Sequence, residues 1–283
     1  MIEFCKLQAM GNDFLVTIVE DVNRVIDAPE LARRICSRNF GAGADGLIVV
    51  DRKGTEEAAF ASRIFNSDGT EAEISGNGTR CVAAYLYWAG MWNEPEIAIS
   101  TAAGIKRGVL KGMEGLRFDF TFDMGQPKVG GDSNAAKTGQ EAQPGVDEEL
   151  AVGGETVRFT EVSMGNPHCG IFLPELDDAS FNRLGPLVES HPRFPHHTNV
   201  EFIKPISDSE IEVRFWERGV GPTMSSGTGS CAATVASVMN GKSSRRVTVH
   251  TAGGNLEVYW REDGRLMLTA SAEVVYRGEW LSD

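Results

Sequence analysis

The chain has 283 residues, of which 41% are hydrophobic and 24% charged, an ordinary composition for one large domain or two average ones. A formal net charge of −13, with no run rich in lysine or arginine, argues against nucleic-acid binding and against anionic membranes. No apolar run approaches the roughly 18 residues of a membrane helix. The five cysteines form no Cys-x-x-Cys pair, which predicts free thiols in the cytoplasm.

Patterns of hydrophobic residues predict several elements along the chain. In chain order they are strand 14–19, helix 29–37, strand 47–50, helix 79–88, strand 116–122, strand 210–216, helix 231–239, strand 245–250 and strand 256–260. The helices at 79–88 and 231–239 are apolar on nearly all sides, which predicts that both are buried. The segment 129–155 lacks periodicity and is rich in glycine, acidic residues, alanine and glutamine, which predicts a loop or linker.

Four short boxes occur twice, in the same order and with offsets of 150 to 154 residues. The first copies are Met10-Gly11-Asn12, Arg63-Ile64-Phe65, Ser75-Gly76-Asn77-Gly78 and Thr101-Ala102-Ala103-Gly104; the second copies are Met164-Gly165-Asn166, Arg214-Phe215-Trp216, Ser226-Gly227-Thr228-Gly229 and Thr251-Ala252-Gly253-Gly254. Collinear matches at a near-constant offset indicate an internal duplication. We therefore predict two similar α+β halves, 1–125 completed by 272–283, and 126–271.

Each Ser-Gly-x-Gly box directly precedes one of the two buried helices. Helix N-termini carry partial positive charge and N–H groups without helical acceptors, and glycines let a ligand approach the backbone. Each box is therefore a candidate anion cradle. If the two halves face one cleft, Ser75 and Ser226 would flank a bound carboxylate, an arrangement suited to inverting an α-carbon.

Other motifs in the sequence do not predict a binding or catalytic site. Gly41–Gly46 fits Gly-x-Gly-x-x-Gly but leads into a strand instead of a helix, so the dinucleotide context fails. His191, His196 and His197 lie in a proline-rich segment that predicts an exposed loop, and we predict no metal site. Neither serine stands in the Gly-x-Ser-x-Gly elbow of hydrolases. Taken singly, the asparagines of the boxes would be turn residues.

Longer strings resemble one family. GNDF (11–14), RIFNSDGTEAEISGNGTRC (63–81), MGNPHC (164–169) and ERGVGPTMSSGTGSCAA (217–233) are similar to the diaminopimelate epimerase family and follow its order. The resemblance implies two pseudo-symmetric halves, each a sheet or barrel around a central buried helix. It also implies cofactor-independent interconversion of LL- and meso-diaminopimelate by two-base 1,1-proton transfer, in the synthesis of lysine and peptidoglycan precursors. Family members are often homodimers, which makes a homodimer an expectation.

The resemblance also assigns roles to individual residues. The distal amine and carboxylate of the substrate would be bound by Asn12, Asn66, Asn166, Asn199, Glu217 and Arg218. The backbone around Gly76-Asn77 and Gly227-Thr228 would hold the reacting α-carboxylate. His168 and Glu217 would set the protonation state of one base.

The two bases of the family are cysteines, and both positions here are serine, Ser75 and Ser226. A serine hydroxyl is a weak base unless a neighbouring group activates it, whereas a cysteine near a helix N-terminus can ionise near neutral pH. Three explanations stay open at the level of sequence. The serines support an altered mechanism, the protein is a catalytically silent amino-acid- or carboxylate-binding homologue, or the serines replace cysteines in a form that traps substrate.

Overall fold

A computed structural model describes residues 1–22, 26–72, 75–130 and 145–281. The chain divides into two compact units: unit 1 is Met1–Phe122 with Thr269–Asp283, and unit 2 is Asp123–Leu268. No helix among the described residues has the length and apolar character needed to cross a membrane.

Unit 1 is a set of strands with one long helix. Its elements are β1 (Ile2–Ala9), β2 (Asn12–Ile18), α1 (Val19–Val22), α2 (Ala28–Ile35), β3 (Gly46–Asp51), β4 (Phe60–Asn66), β5 (Glu71–Ala72), α3 (Gly76–Trp88), β6 (Glu96–Thr101), β7 (Gly104–Glu114) and most of β8 (Arg117–Gly125) and β18 (Leu266–Trp280). β2 and β3 pair in parallel, β3 and β4 antiparallel, β4 and β6 in parallel, and β6 and β7 antiparallel. β18 pairs antiparallel with β1, which ties the C-terminal segment into this unit.

Unit 2 repeats this pairing. Its elements are β9 (Lys128–Val129), β10 (Glu148–Val152), β11 (Glu155–Ser163), β12 (Pro167–Phe172), α4 (Asp178–Glu189), β13 (Asn199–Ser207), β14 (Glu210–Glu217), β15 (Gly221–Thr223), α5 (Gly227–Met239), β16 (Arg246–Thr251) and β17 (Gly254–Trp260). β12 and β13 pair in parallel, β13 and β14 antiparallel, β14 and β16 in parallel, and β16 and β17 antiparallel. The shared order of parallel and antiparallel pairs confirms the pseudo-symmetric α+β fold.

One buried helix packs among the strands of each unit. α3 contacts β1, β2, β3 and β6, and α5 contacts β11, β12, β13, β14, β16 and β17. Small residues let the sheets close around α5, where Ala233, Val235 and Ala236 are fully buried. Because both helices are buried on most sides, most of their side chains are apolar or small.

The predicted loop at 129–155 is wrong in part. Glu148–Val152 forms β10, which pairs antiparallel with β11 through a turn at Gly153 and Gly154. Leu150 and Val152 alternate with exposed neighbours and are buried, so five residues suffice for a half-buried strand. Residues 131–144 of that prediction lie outside the described residues.

Candidate active site

Ser75 and Ser226 occupy equivalent places in the two units, as the N-caps of α3 and α5. Their backbone angles nearly coincide, with φ −138° and ψ 120° at Ser75 and φ −138° and ψ 125° at Ser226. The Ser75 Oγ accepts a hydrogen bond of 3.0 Å from the Gly78 N–H, and the Ser226 Oγ accepts one of 3.3 Å from the Gly229 N–H. Both boxes therefore form the first turns of their helices.

A second hydroxyl supports each cap one turn later. Thr79 Oγ1 donates to the Ser75 carbonyl at 2.9 Å, and Ser230 Oγ donates to the Ser226 carbonyl at 2.7 Å. The Gly76-Asn77 and Gly227-Thr228 N–H groups precede the first backbone N–H that donates within each helix, that of Thr79 in α3 and that of Ser230 in α5. The backbone predicted to cradle an anion is thus placed as a helix N-terminus requires.

The shared cap geometry predicts equal stability effects in the two units. We expect Ser75→Ala and Ser226→Ala each to lower the free energy of unfolding by about 1 kcal/mol, because each removes the acceptor for one N–H of the first turn. Urea unfolding measures both. Ser75→Asn and Ser226→Asn retain a capping oxygen and serve as controls, and a cost at one site only would contradict the equivalence.

Asn12 in unit 1 is held by an acid. Its Nδ2 donates to Asp45 Oδ2 at 2.7 Å, while Asn77 Nδ2 donates to Asn12 Oδ1 across a longer 3.4 Å. Arg80, fully buried in α3, donates from Nη1 to the Gly76 carbonyl at 3.2 Å and from Nη2 to Asn77 Oδ1. The structure therefore links two of the predicted binding residues, Asn12 and Asn77, in one network.

Asn66, the remaining predicted residue of unit 1, is not part of that network. It ends β4, and its Nδ2 donates to Thr70 Oγ1 at 2.9 Å. Its backbone N–H donates to the Thr70 carbonyl at 2.8 Å. This is the local turn bonding typical of asparagine, and the Asn66 side chain is exposed.

Asp13, next to Asn12, anchors the same end of unit 1. It accepts from Lys6 Nζ at 2.8 Å and from Arg38 Nη2 at 2.9 Å, and its side chain is only 14% exposed. Burial alone would raise the pKa of Asp13, but the hydrogen bonds from Arg38 and Lys6 together lower it to about 2. The ionised carboxylate is therefore favoured in the folded protein.

This depressed pKa predicts a pH-dependent stability effect. We expect Asp13→Asn to lower the free energy of unfolding by about 2 kcal/mol at pH 7, since the folded pKa lies below the unfolded one. That stabilisation is present above the unfolded pKa of about 3.9 and is lost as the pH falls toward 2. Urea unfolding from pH 7 to pH 2 should show the two proteins converging in acid. Asp208→Asn, at an exposed position, is the control, and a constant gap at every pH would contradict the assignment.

In unit 2, three predicted or neighbouring side chains form a chain of hydrogen bonds. His168 Nδ1 lies 2.7 Å from Glu201 Oε1, and His168 Nε2 lies 3.0 Å from Asn166 Oδ1. His168 and Glu201 are 0% and 1% exposed. Burial raises the pKa of Glu201, and the neighbouring His168 opposes that rise.

Glu217 is a second acid of this unit, and its side chain is partly buried. Thr223 Oγ1 donates to its Oε1 at 2.7 Å. Burial raises the pKa of Glu217; the negative charge of Glu201 adds to the rise, whereas the Thr223 hydrogen bond and His168 oppose it. An acid with a raised pKa can exchange protons nearer neutral pH than an exposed glutamate can.

Arg218 follows Glu217 and is held through its backbone. Its N–H donates to Asn199 Oδ1 at 3.0 Å, and Asn199 Nδ2 donates to the Pro167 carbonyl at 2.8 Å. The next N–H, that of Gly219, donates to Glu189 Oε1 at 2.8 Å. The Arg218 guanidinium reaches the His196 carbonyl at 3.2 Å but remains exposed, so its position is fixed while its donors stay accessible.

Activating groups are scarce around the two serines. Among the described residues, no side chain accepts a hydrogen bond from either hydroxyl. The five cysteines are all buried with free thiols, and burial raises the pKa of Cys81 to about 12. No group of three or more His, Cys, Asp or Glu within the described ranges could hold a metal ion.

Sequence reasoning missed Asp45 and Glu201. Glu201 carries a readable signal, because it is a charged residue between Val200 and Phe202 in an otherwise apolar run, and a buried charge needs a partner. Asp45 carries little signal, since aspartate in a glycine-rich loop is an ordinary turn residue.

Comparison with solved structures shows which known proteins share this fold. The fold is that of a hydroxyproline epimerase from Agrobacterium vitis, with a TM-score of 0.69 at 16% identity, covering 98% of this chain and 90% of that one. It is also that of a probable proline racemase from Agrobacterium radiobacter, with a TM-score of 0.70 at 16% identity, covering 100% and 94%. The two helix-capping serines thus lie in a fold that amino-acid epimerases and racemases share.

The family model for diaminopimelate epimerase matches residues 4–129 and 160–276. A protein named diaminopimelate epimerase from Pelotomaculum thermopropionicum is 45% identical over 281 residues, covering 98% of each chain. One of the same name from Heliobacterium modesticaldum is 44% identical, covering 98% of this chain and 99% of the relative. The chain belongs to the diaminopimelate epimerase family.

Proposed function

We propose that this protein is a cofactor-independent amino-acid epimerase acting on diaminopimelate and interconverting its LL and meso forms. The observation that carries the proposal is the pair of serines, which cap two buried helices with the same geometry at the family's two base positions. Identity above 40% to proteins named diaminopimelate epimerase, over nearly the whole chain, supports the choice of substrate.

In this proposal each half supplies one proton-transfer group. One of Ser75 and Ser226 removes the α-proton and the other delivers a proton, while the N–H groups at Gly76-Asn77 and Gly227-Thr228 hold the α-carboxylate. Asn12, Asn66, Asn166, Asn199, Glu217 and Arg218 bind the distal amine and carboxylate. His168 and Glu217 adjust the protonation of the unit 2 group; the full burial of His168 and the raised pKa of Glu217 support that role.

A second candidate is a catalytically silent amino-acid-binding protein. It is favoured by the state of the two hydroxyls, each of which accepts a bond from its helix and meets no base among the described residues. Binding would then rely on the same asparagines and Arg218, without proton transfer at the α-carbon.

The deciding experiment follows the α-proton of diaminopimelate by NMR in deuterated water. The first candidate predicts loss of the α-proton signal above a protein-free control, together with LL-to-meso conversion. Binding in a calorimetric titration without exchange would favour the second candidate. Absence of both binding and exchange would reject diaminopimelate as the ligand of either.

The proposal includes a small amino-acid substrate, no nucleic-acid partner, a cytoplasmic location and a homodimer. The net charge of −13 supports the lack of a nucleic-acid partner. The five buried free thiols support the cytoplasmic location. The homodimer rests on family resemblance, and light scattering at micromolar concentration tests it.

A further inference from the structure

Glu201 and His168 form a fully buried acid–base pair whose role is not explained by proton transfer to substrate. The carboxylate lies on β13 and the imidazole on β12, where His168 is paired with Asn199 in the parallel register. An added Cβ at Gly229 would lie 2.8 Å from Glu201 Oε1. Glu201 therefore packs directly against the first turn of α5, the turn that Ser226 caps.

Burial decides how many protons the pair holds. With exposures of 0% and 1%, a neutral imidazole beside an ionised carboxylate would bury a net negative charge without hydration, whereas a pair that holds two protons, one between Nδ1 and the carboxylate and one on Nε2, is neutral overall. In that state the Nδ1 position shares a proton with Glu201. His168 Nε2 then keeps its own proton and must donate it.

The acceptor of that proton is Asn166. His168 Nε2 lies 3.0 Å from Asn166 Oδ1, so the oxygen end of the amide is turned inward. No described residue accepts a hydrogen bond from Asn166 Nδ2. The amide therefore presents N–H donors, the chemistry that recognises a carboxylate.

Unit 1 holds the repeated asparagine the other way round. Asn12 Nδ2 donates directly to Asp45 Oδ2 at 2.7 Å, and Oδ1, which accepts the longer 3.4 Å bond from Asn77 Nδ2, is the end with remaining acceptor capacity. The two Met-Gly-Asn boxes are equivalent in sequence, yet one amide is fixed as an acceptor and the other as a donor. An ammonium group suits the first and a carboxylate the second.

We infer that Glu201 is a positioning residue that acts through His168 to set the orientation of the Asn166 amide, so that Nδ2 faces a carboxylate of the ligand. Glu201 itself does not touch the ligand. The inference rests on the proposed function in taking diaminopimelate as that ligand, but the hydrogen-bond chain it describes lies wholly inside unit 2.

A double-mutant cycle that measures ligand binding tests this chain of hydrogen bonds. Glu201→Leu should weaken diaminopimelate binding roughly tenfold, the effect of one unmade hydrogen bond. In an Asn166→Ala background, Glu201→Leu should weaken diaminopimelate binding less than about twofold, because the amide that Glu201 orients is gone. Glu201→Gln, whose amide can donate to Nδ1 and preserve the Nε2 proton, should bind within about threefold of the parent.

Glu161→Leu is the matched control. Glu161 is another buried glutamate of unit 2, on β11, and pairs with Arg193 at 3.2 Å. Its removal should lower the melting temperature while leaving the affinity of the folded protein unchanged. This comparison separates loss of a buried charge in general from loss of the His168 contact.

A spectroscopic measurement tests the hydrogen bonds from Glu201 through His168 to Asn166 without ligand. Nitrogen–proton spectra of the imidazole, assigned by comparison with His168→Gln, should show a protonated Nε2 in the parent and its loss or rapid exchange in Glu201→Leu. An unprotonated Nε2 in the parent would overturn the inference, as would equal losses from Glu201→Leu with and without Asn166. If the parent fails to bind diaminopimelate but the Nε2 proton depends on Glu201, the proposed function fails and the positioning role stands.

Discussion

Changing Ser75 and Ser226 together to cysteine should greatly raise the rate of diaminopimelate epimerisation, because each general acid or base typically contributes a factor of roughly 10² to 10⁴ when both are present. The physical reason is acidity. A thiol has a pKa near 8.5, lower at a helix N-terminus, so a reactive thiolate exists near neutral pH, whereas an unassisted hydroxyl does not ionise there. The N-cap position places either side chain at the positive end of α3 or α5.

The design of this experiment needs single and null variants. Ser75→Cys and Ser226→Cys alone should each give much less than half of the increase in log rate that the double variant gives. The effects of two groups that act as a unit do not add. The double alanine variant sets the baseline, and Ser244→Cys, at an exposed position, controls for an added thiol. A double cysteine variant that binds diaminopimelate but does not epimerise it would contradict the assigned substrate.

The sequence predicts the long features of this fold well. The repeated boxes predict the duplication because each marks a place where the backbone is constrained, such as the first turn of α3 and α5. The all-apolar helices were predicted at 79–88 and 231–239, and they begin earlier, at Gly76 and Gly227. The box glycines look like loop residues, yet the serine caps draw them into the helix.

Other elements could not be predicted because distant contacts decide them. α4 contains Gly185 and Pro186, which disfavour a helix locally. Yet an added Cβ at Gly185 would lie 2.5 Å from the ring of Trp216, so the glycine permits close packing against β14. That requirement is visible only once the strand and the helix are placed together.

The same limit applies to the candidate site. The family resemblance selects Asn12, Asn166 and His168, but it gives no orientation for an amide. Orientation depends on Asp45, 33 residues from Asn12, and on Glu201, 33 residues from His168. Hydrogen bonds between neighbouring strands create both pairs, and local sequence patterns do not encode them.

The second large effect is expected from the substitution of Arg218. Arg218→Ala should weaken diaminopimelate binding about 100-fold, because a guanidinium that pairs with the distal carboxylate contributes a charge-assisted, two-pronged contact. Its main-chain N–H bond to Asn199 and the Gly219 N–H bond to Glu189 do not need the side chain. The free energy of unfolding should therefore change by no more than about 0.5 kcal/mol.

Comparison of two ligands locates the contact that Arg218 makes. Lysine lacks one of the two carboxylates of diaminopimelate, so the parent should prefer diaminopimelate strongly, and Arg218→Ala should reduce that preference to within about threefold. Arg218→Lys should retain part of it, since an ammonium keeps the charge but loses the planar fork. Calorimetric titration of both ligands measures these ratios. Equal weakening of lysine and diaminopimelate would mean that Arg218 acts on the part the ligands share, and the distal carboxylate would then need another partner.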